Sequence, residues 1–187
     1  MQSFPIFMRL SGRPVLVVGS GHAAEAKQRL LEAAGARVNL VGAVDVLAGY
    51  ALVFGATGDD ARDRAVSEAA RAAGIPVNVV DRPELSDFIM PAVVDRGEIV
   101  IGISTGGSAP ILAQRIRATI EDVLPSGLDR LASFARRFRN AVQTRVTDNA
   151  TRRRFWSSHP CVHSRDRAID AVDIDLMAVD SRGHAGK

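Results

Sequence analysis

The sequence predicts an α/β fold built on a doubly wound parallel sheet. Short apolar runs of strand length alternate with amphipathic helical patterns through the first half of the chain. Glycines stand where the predicted helices should end, and the connections between elements are short. Because short connections leave each helix as the crossover between neighbouring strands, these strands are expected to pair in parallel.

The first βαβ unit begins at Pro14–Val18, a continuous apolar and β-branched run that indicates a strand buried on both faces. A helical pattern covers about residues 23–34, and Gly35 is placed to end that helix. Residues 37–41 predict the second strand. The three elements together predict one parallel βαβ unit close to the start of the chain.

The alternation continues with a strand over 51–56, a helix over 60–73 and a strand over 75–80. It then stops, because residues 88–94 and 98–104 are two strand-like runs joined directly by an Asp-Arg-Gly turn sequence. We therefore expect a β-hairpin that lies outside the parallel alternation.

Helices are predicted for the rest of the patterned chain. Ser108 can cap a helix that has Pro110 in its first turn and runs to about Leu124. A Pro-Ser-Gly sequence interrupts it, and a basic amphipathic helix with apolar residues at helical spacing follows from Leu128. The sheet is thus expected to be followed by a hairpin, a helix and a small basic helical region.

The composition excludes several classes of protein. Of the 187 residues, 47% are apolar and 24% are charged, which excludes a collagen, a disordered chain and a disulfide scaffold. The single cysteine, Cys161, cannot form an internal disulfide, as expected in a reducing compartment. No apolar run is long enough to span a membrane, and no secretory signal is visible. We expect a cytoplasmic location and no membrane association.

The net charge of +3 is unevenly distributed along the chain. Between Ser126 and Trp156 there are eight arginines and two aspartates. This segment favours an anionic partner, although a solvated helix face explains it equally well. A nucleic-acid partner is not expected, because neither a helix-turn-helix pattern nor zinc spacing accompanies the arginines. The run from His159 to His163 around the cysteine is interpreted as accidental, so no metal site is expected.

The residues after the first strand carry the pattern G-x-G-x-x-A, with a strand before it and a helix after it. Gly19 permits a sharp turn, Gly21 lets the backbone approach a pyrophosphate, and Ala24 lets the helix pack closely on the strand. The helix N-terminus then attracts the phosphates of a dinucleotide, as in a Rossmann-type fold. A tight turn without any ligand is the alternative.

The residues after the second strand should indicate which dinucleotide binds. Asp45 is the nearest acidic residue that could bind the adenosine ribose, but it lies several residues beyond that strand. A surface turn explains Asp45 at least as well. No arginine occurs between Val38 and Tyr50 to receive a 2′-phosphate, which favours NAD over NADP.

Two further stretches could carry chemistry. Asp81 stands at the carboxyl end of an apolar strand, where open α/β sheets bind ligands, and its carboxylate could accept a proton. An aspartate that merely begins a loop is the simpler interpretation.

The second stretch is a glycine-rich loop that could form an anion cradle for a carboxylate or phosphate of the substrate. The alternative interpretation of this loop is an ordinary helix start. The cradle residues are Thr105, Gly106, Gly107 and Ser108.

These stretches together resemble the N-terminal module of sirohaem synthase, which is also found alone as precorrin-2 dehydrogenase/sirohydrochlorin ferrochelatase. They follow the order of the family and cover residues 1 to about 156. The combination of NVVD, FIMP and S-T-G-G-x-x-P is far more specific than the glycine turn. The matching stretches are FPIF at 4–7, VVGSG at 17–21, AEAK at 24–27, AGA at 34–36, ATGD at 56–59, NVVD at 78–81, FIMP at 88–91, ISTGGSAP at 103–110 and RRRFW at 152–156.

The resemblance implies an NAD-dependent oxidation of precorrin-2 to sirohydrochlorin, and many family members then insert ferrous iron. It implies that Asp81 is the catalytic base and also assists metal insertion. It further implies NAD contacts at His22 and Ala23 after the glycine turn, and a second NAD-contacting pair at Ala43 and Val44.

The resemblance also implies a substrate loop and a homodimer. Thr105 stands where the substrate loop of the family often carries serine, so a hydroxyl is kept. The family is a homodimer whose hairpin and following helix cross between subunits. The tetrapyrrole substrate bears several carboxylates, which would be anionic ligands for the arginines and the glycine-rich loop.

The chain departs from the family pattern near residues 44–51. Family members usually have a helix and a further strand there, roughly 20–30 residues by the usual size of a βαβ unit. The alternative is therefore that the chain is a truncated family member without dehydrogenase activity. It would then be a chelatase only or an inactive tetrapyrrole-binding module.

The sequence predicts four divisions of the chain. They are an NAD-binding domain over 1–87 that is shortened near 44–51, a dimerisation segment over 88–125, a basic helical region over 126–156 and an atypical tail over 157–187.

Overall fold

The structure, a computed structural model, describes residues 3–44 and 46–157. Asp45 and nearly all of the predicted atypical tail, with its histidines and cysteine, lie outside the described residues. The elements are β1 (Pro14–Gly19), α1 (His22–Ala33), β2 (Arg37–Val41), β3 (Leu52–Ala56), α2 (Asp60–Ala72), β4 (Val77–Val79), a 3₁₀ turn (Pro83–Leu85), β5 (Ala92–Arg96), β6 (Ile99–Ile103), α3 (Pro110–Val123), α4 (Leu128–Arg145) and α5 (Asn149–Ser157).

A four-stranded parallel sheet with the strand order β2-β1-β3-β4 forms the first part of the molecule. In its register, Val18 pairs with Val41 of β2, and Gly19 pairs with Ala56 of β3. The carboxyl ends of the strands therefore meet at one edge of the sheet. The predicted α/β class is confirmed, and the loops that follow the four strands share the edge at which such sheets bind ligands.

The sheet is buried on both faces, as the uninterrupted apolar runs predict. Alternate residues of β1 enter opposite cores, so Val15 and Val17 pack beneath α1, while Leu16 and Val18 pack beneath α2. Phe54 of β3 is fully buried in the first of these cores. Burial of each such side chain contributes about 1.5–3 kcal/mol, so the two cores fix the position of the strands against both helices.

The connection between β2 and β3 contains neither a helix nor a strand among its described residues. It crosses to the face that α2 covers, where Val44, Leu47 and Tyr50 pack against the core. The hydroxyl of Tyr50 accepts a hydrogen bond of 2.7 Å from the side-chain amide of Asn39 on β2. This short connection leaves β2 at the edge of the described sheet, with Leu40 38% exposed.

The opposite edge of the sheet is closed by side chains. The backbone N–H of Val77 donates to the carboxylate of Asp87 at 3.1 Å, and that of Val79 donates to the hydroxyl of Ser86 at 2.9 Å. These bonds satisfy the outer N–H groups of β4, which would otherwise expose an open strand edge. β4 has three residues and is shorter than the predicted strand over 75–80.

The first strand of the hairpin begins later than the sequence predicts. Residues 88–91 lie against the core, where the rings of Phe88 and Phe54 meet edge to face at 5.6 Å between centroids. The side-chain amide of Asn78 donates to the carbonyl of Phe88 at 2.8 Å. This segment is therefore held by a side chain and a ring contact, and the ladder of β5 and β6 starts only at Ala92.

The chain divides into two compact units. Among the described residues, one unit contains the parallel sheet and residues 103–115, and the other contains residues 93–102 and 116–157. In the second unit, α4 places Phe134 and Phe138 4.4 Å apart between ring centroids and buries Val142. The predicted basic amphipathic helix is thus present. None of the helices within the described residues is long and apolar enough to cross a membrane.

The glycine at the end of β1 is required by the sheet itself. A Cβ on Gly19 would lie 2.0 Å from the carbonyl oxygen of Ala56, and its φ of +145° is one that other residues rarely adopt. We expect Gly19→Ala to lower the free energy of unfolding by about 3 kcal/mol or more. Urea unfolding followed by circular dichroism measures this loss.

The matched control is Gly42→Ala. Gly42 has no positive φ, and a Cβ there would meet nothing within 4 Å. We expect a change within about 0.5 kcal/mol. Equal losses for both variants would contradict the steric explanation for Gly19.

Candidate dinucleotide and substrate site

The N-terminus of α1 is open to a ligand. The N-cap residue, Gly21, has a φ of 78°, and no side chain caps the first turn of the helix. A Cβ at Gly21 would meet nothing within 4 Å, so the space beside this backbone is free. Unsatisfied N–H groups and the helix dipole at such an end favour an anion, and the residues therefore fit a pyrophosphate.

Of the three residues after Gly21, the first two are exposed and the third is buried. His22 and Ala23 are exposed in the first turn of α1, where a dinucleotide would pass. Ala24 is fully buried between α1 and the sheet. A larger side chain at Ala24 would push the helix away from β1, so the third position serves packing and not contact with a ligand.

The predicted second pair, Ala43 and Val44, lies beside the glycine turn. Because Val18 and Val41 are paired, the residues that follow β1 and β2 are neighbours at the same edge of the sheet. Ala43 and Val44 line a cavity of about 650 Å³ together with Val18. Apart from Thr57 and Arg62, the lining of this cavity is apolar.

A buried carboxylate fixes the loop after β3, which lies between the glycine turn and Asp81. Asp63 of α2 is 5% exposed, and its Oδ1 accepts hydrogen bonds from the hydroxyl of Thr57 at 2.8 Å and from the backbone N–H of Thr57 at 3.1 Å. Since Thr57 also lines the cavity, this pair holds one wall of the cavity in place.

Asp81 is placed at the same edge of the sheet, just beyond β4. It is exposed and has a φ of 58°, which is unusual for a residue other than glycine. Such backbone costs about 1–3 kcal/mol and is often retained at functional sites. β4 is two strands away from β1, a distance of about 10 Å at the usual strand spacing.

Lys27 of α1 is the charged group that the structure brings to Asp81. Burial lowers the pKa of the Lys27 ammonium, and the negative charge of Asp81 acts in the opposite direction. The two groups are therefore close enough to interact electrostatically.

The predicted anion cradle is a preformed loop. The hydroxyl of Ser108 donates to the carbonyl of Thr105 at 2.6 Å, and the hydroxyl of Thr105 accepts from the backbone N–H of Ala109 at 3.3 Å. Gly106, Gly107 and Ser108 are exposed.

Three residues of the site were not identified from the sequence, namely Lys27, Arg62 and Asp63. Lys27 could have been found, because it falls at the spacing of Ala24 and Leu31, the buried positions of α1. A lysine on the apolar face of a helix is unusual and often functional. Arg62 and Asp63 gave no such signal, because their roles depend on neighbours brought close by the fold.

Three family profiles match the chain. A family described as NAD(P)-binding matches in two segments, residues 6–46 and 42–92. The central region of sirohaem biosynthesis proteins matches residues 96–122, and the sirohaem synthase dimerisation region matches residues 127–158. The three profiles follow one another along almost the whole described chain.

Siroheme synthases of known sequence are similar to this chain over most of its length. The siroheme synthase of Methylobacillus flagellatus is 44% identical over 179 residues, and that of Ectopseudomonas mendocina is 42% identical over 177 residues. Each alignment covers 83% of this chain and 38% of the relative. The chain therefore spans less than two fifths of the length of these relatives.

The alignment with the Methylobacillus flagellatus relative supports the interpretation that the connection between β2 and β3 is shorter in this chain. It covers 83% of a 187-residue chain, about 155 residues, while it extends over 179 positions. About 24 positions therefore have no counterpart in this chain. The two segments matched by the NAD(P)-binding profile meet and overlap at residues 42–46, within the connection between β2 and β3.

A solved structure shares the fold. The protein named SirC, precorrin-2 dehydrogenase, superimposes with a TM-score of 0.64 at 20% sequence identity. The match covers 83% of this chain and 88% of that one. At this identity the likeness establishes the fold alone, and it confirms the predicted fold class.

The electrostatic pairing of Lys27 with Asp81 can be measured directly. The chain has two lysines, Lys27 and Lys187, so reductive ¹³C-methylation gives two lysine signals by NMR, which Lys187→Arg assigns. We expect the pKa of Lys27 to lie below its ordinary value and to fall further in Asp81→Asn, because the charge that raises it is removed.

The control for this experiment is Glu68→Gln, which removes a negative charge from an exposed position on α2. It should leave the titration of Lys27 unchanged. A Lys27 titration that is the same with and without the carboxylate of Asp81 would show that the two groups are not coupled.

Proposed function

The chain belongs to the sirohaem synthase family, of which it carries the N-terminal module, and we propose that it catalyses the NAD-dependent oxidation of precorrin-2 to sirohydrochlorin. The observation that carries this proposal is the shared sheet edge. The open N-terminus of α1 and the carboxylate of Asp81 lie at the same edge, about two strand spacings apart. A dinucleotide and a proton acceptor would therefore face one substrate.

The chain would hold the dinucleotide through its backbone. The N–H groups at Gly21, His22 and Ala23 would bind the pyrophosphate, and Ala43 and Val44 would contact the adenosine half. Bound NAD supplies the hydride acceptor. The contribution of the protein is to orient the two molecules and to exclude water from the apolar wall of the cavity.

Asp81 would act as the general base. Oxidation of a carbon skeleton removes a hydride and a proton, and the proton needs an acceptor at the carboxyl end of the sheet. The carboxylate of Asp81 is exposed there, just beyond β4. Positioned general bases of this kind contribute about 10²–10⁴ in rate.

The substrate is proposed to bind through its carboxylates. The exposed glycines of the loop, Gly106 and Gly107, present backbone to solvent at the start of α3, and the hydroxyls of Thr105 and Ser108 are fixed on either side. This arrangement suits a carboxylate of the tetrapyrrole. The match of residues 127–158 to a dimerisation region supports a homodimer as the working form.

A second candidate function is a chelatase or tetrapyrrole-binding module without dehydrogenase activity. The shortened connection between β2 and β3 favours it, because the loop that would contact the adenosine half is part of that connection. In this case ferrous iron would be the second substrate, and Asp81 would assist its insertion into sirohydrochlorin. Many members of the family combine both activities, so the two candidates share Asp81.

Binding of NAD separates the two candidates. Isothermal titration calorimetry with the full chain should show saturable binding of NAD, because the N-terminus of α1 is uncapped and open. The absence of binding at millimolar NAD would end the dehydrogenase proposal. Formation of sirohaem from sirohydrochlorin and ferrous iron, measured by absorbance, would then establish the chelatase.

Replacement of Asp81 tests the general base. We expect Asp81→Asn to lower the rate of precorrin-2 oxidation at least about 100-fold while the Kd for NAD stays within about threefold, because the carboxylate is needed for proton transfer only. The absorbance assay and calorimetry give the two numbers. Glu68→Gln, an exposed change of the same charge, should affect neither. Oxidation at the original rate in Asp81→Asn would remove Asp81 from the mechanism.

A further inference from the structure

Lys27 occupies the buried stripe of α1, where apolar residues pack on the sheet. It follows Ala24 by three residues and precedes Leu31 by four, and both of these are buried in the first core. Residues at this spacing lie on one face of a helix. Lys27 is half-buried there. A charged side chain is unusual at such a position, because an apolar one would pack without losing the hydration of a charge.

The same stripe leads to the edge of the sheet at which ligands are expected. Helical side chains tilt toward the N-terminus of their helix, so the aliphatic chain of Lys27 extends toward the end of α1 that follows the glycine turn. Val80 packs against the core that contains Ala24 and Leu31, and Asp81 is the next residue. The packing of the first core therefore brings Lys27 and Asp81 into one neighbourhood, in which their charges interact.

The ammonium of Lys27 has no direct partner among the described residues. It forms neither a hydrogen bond nor an ion pair with any of them, and the influence of Asp81 reaches it without such a contact. By contrast, Arg29 on the exposed side of α1 pairs with Glu25 at 3.9 Å. A half-buried cation without a partner has lost hydration and gained no contact in return, and a bound anion would supply that contact.

We propose that Lys27 binds a carboxylate of the tetrapyrrole and so positions the macrocycle beside Asp81. The inference rests on the proposed function and adds a residue that determines how the substrate is held. The proposed substrate is a polycarboxylate, and a lysine offers such a ligand one positive charge and three donors. Two carboxylate contacts, at Lys27 and at the loop over 105–108, would fix the orientation of the macrocycle, which a single contact leaves free.

The ammonium can be observed directly in the complex. In Lys187→Arg, reductive ¹³C-methylation leaves Lys27 as the labelled lysine of the chain. We expect saturating sirohydrochlorin to raise the pKa of Lys27, because an adjacent carboxylate favours the charged form. NAD alone should leave that pKa unchanged. A rise with NAD and none with sirohydrochlorin would assign Lys27 to the pyrophosphate and overturn the inference.

Lys27→Met removes the ammonium and keeps an unbranched apolar side chain in its place. We expect it to raise the Kd for sirohydrochlorin and the KM for precorrin-2 at least about tenfold, with a smaller effect on kcat and with the Kd for NAD within about threefold. Circular dichroism checks that the variant is folded. Lys27→Arg should recover most of the loss, because it retains the charge. Arg29→Met is the matched control, since it removes the same charge from an exposed position on α1 and should change none of these values.

The outcomes separate this inference from the proposed function. Unchanged binding of sirohydrochlorin in Lys27→Met would overturn the inference and leave the oxidation standing, because the lysine would then only pack its aliphatic chain on the core. An equal loss in Arg29→Met would also overturn it, since any positive charge on α1 would then suffice. A chain that binds sirohydrochlorin through Lys27 but binds no NAD would support the inference within the chelatase candidate. If the unaltered chain binds no tetrapyrrole, both proposals fail.

Discussion

The close approach of β1 to β3 is the constraint on which the rest of the site depends. Gly19 pairs with Ala56, and the space that its side chain would need is occupied by the carbonyl oxygen of Ala56. Because the two strands remain paired to this point, the chain leaves β1 at the edge of the sheet and turns directly into α1. The uncapped N-terminus of α1 takes its position from that turn.

The short connection between β2 and β3 affects the β2 side of the sheet and leaves the side formed by β1, β3 and β4 complete. The β1, β3 and β4 ends, which hold the glycine turn, Thr57 and Asp81, are supported by two complete cores. On the other side β2 is an edge strand, and its connection to β3 packs on the core through three apolar side chains. The guanidinium of Arg62 on α2 donates to the carbonyl of Gly42 and so ties this connection to α2.

Short-range sequence patterns predicted correctly most of the helices and strands that neighbouring residues determine. The βαβ unit, the hairpin, α3 and the basic α4 all occur, since periodicity, glycines and capping residues act over a few neighbours. The errors are at boundaries that distant groups decide. Asn78 and Phe54 hold Phe88 outside the hairpin, and Asp87 with Ser86 closes the edge of β4. No local pattern indicates such contacts, because their partners lie far apart in sequence or belong to an irregular loop.

The sequence by itself determined the α/β class, the family, the glycine turn and the position of Asp81 after a strand, because each is expressed in consecutive residues. The tertiary structure alone decided which charges meet. The charge of Asp81 raises the pKa of Lys27, Asp63 fixes Thr57, and Arg62 reaches the end of β2 from another element. Such pairings depend on strand order and on the path of the crossover. A sequence that shows no arginine near β2 therefore still places a guanidinium there once the sheet is assembled.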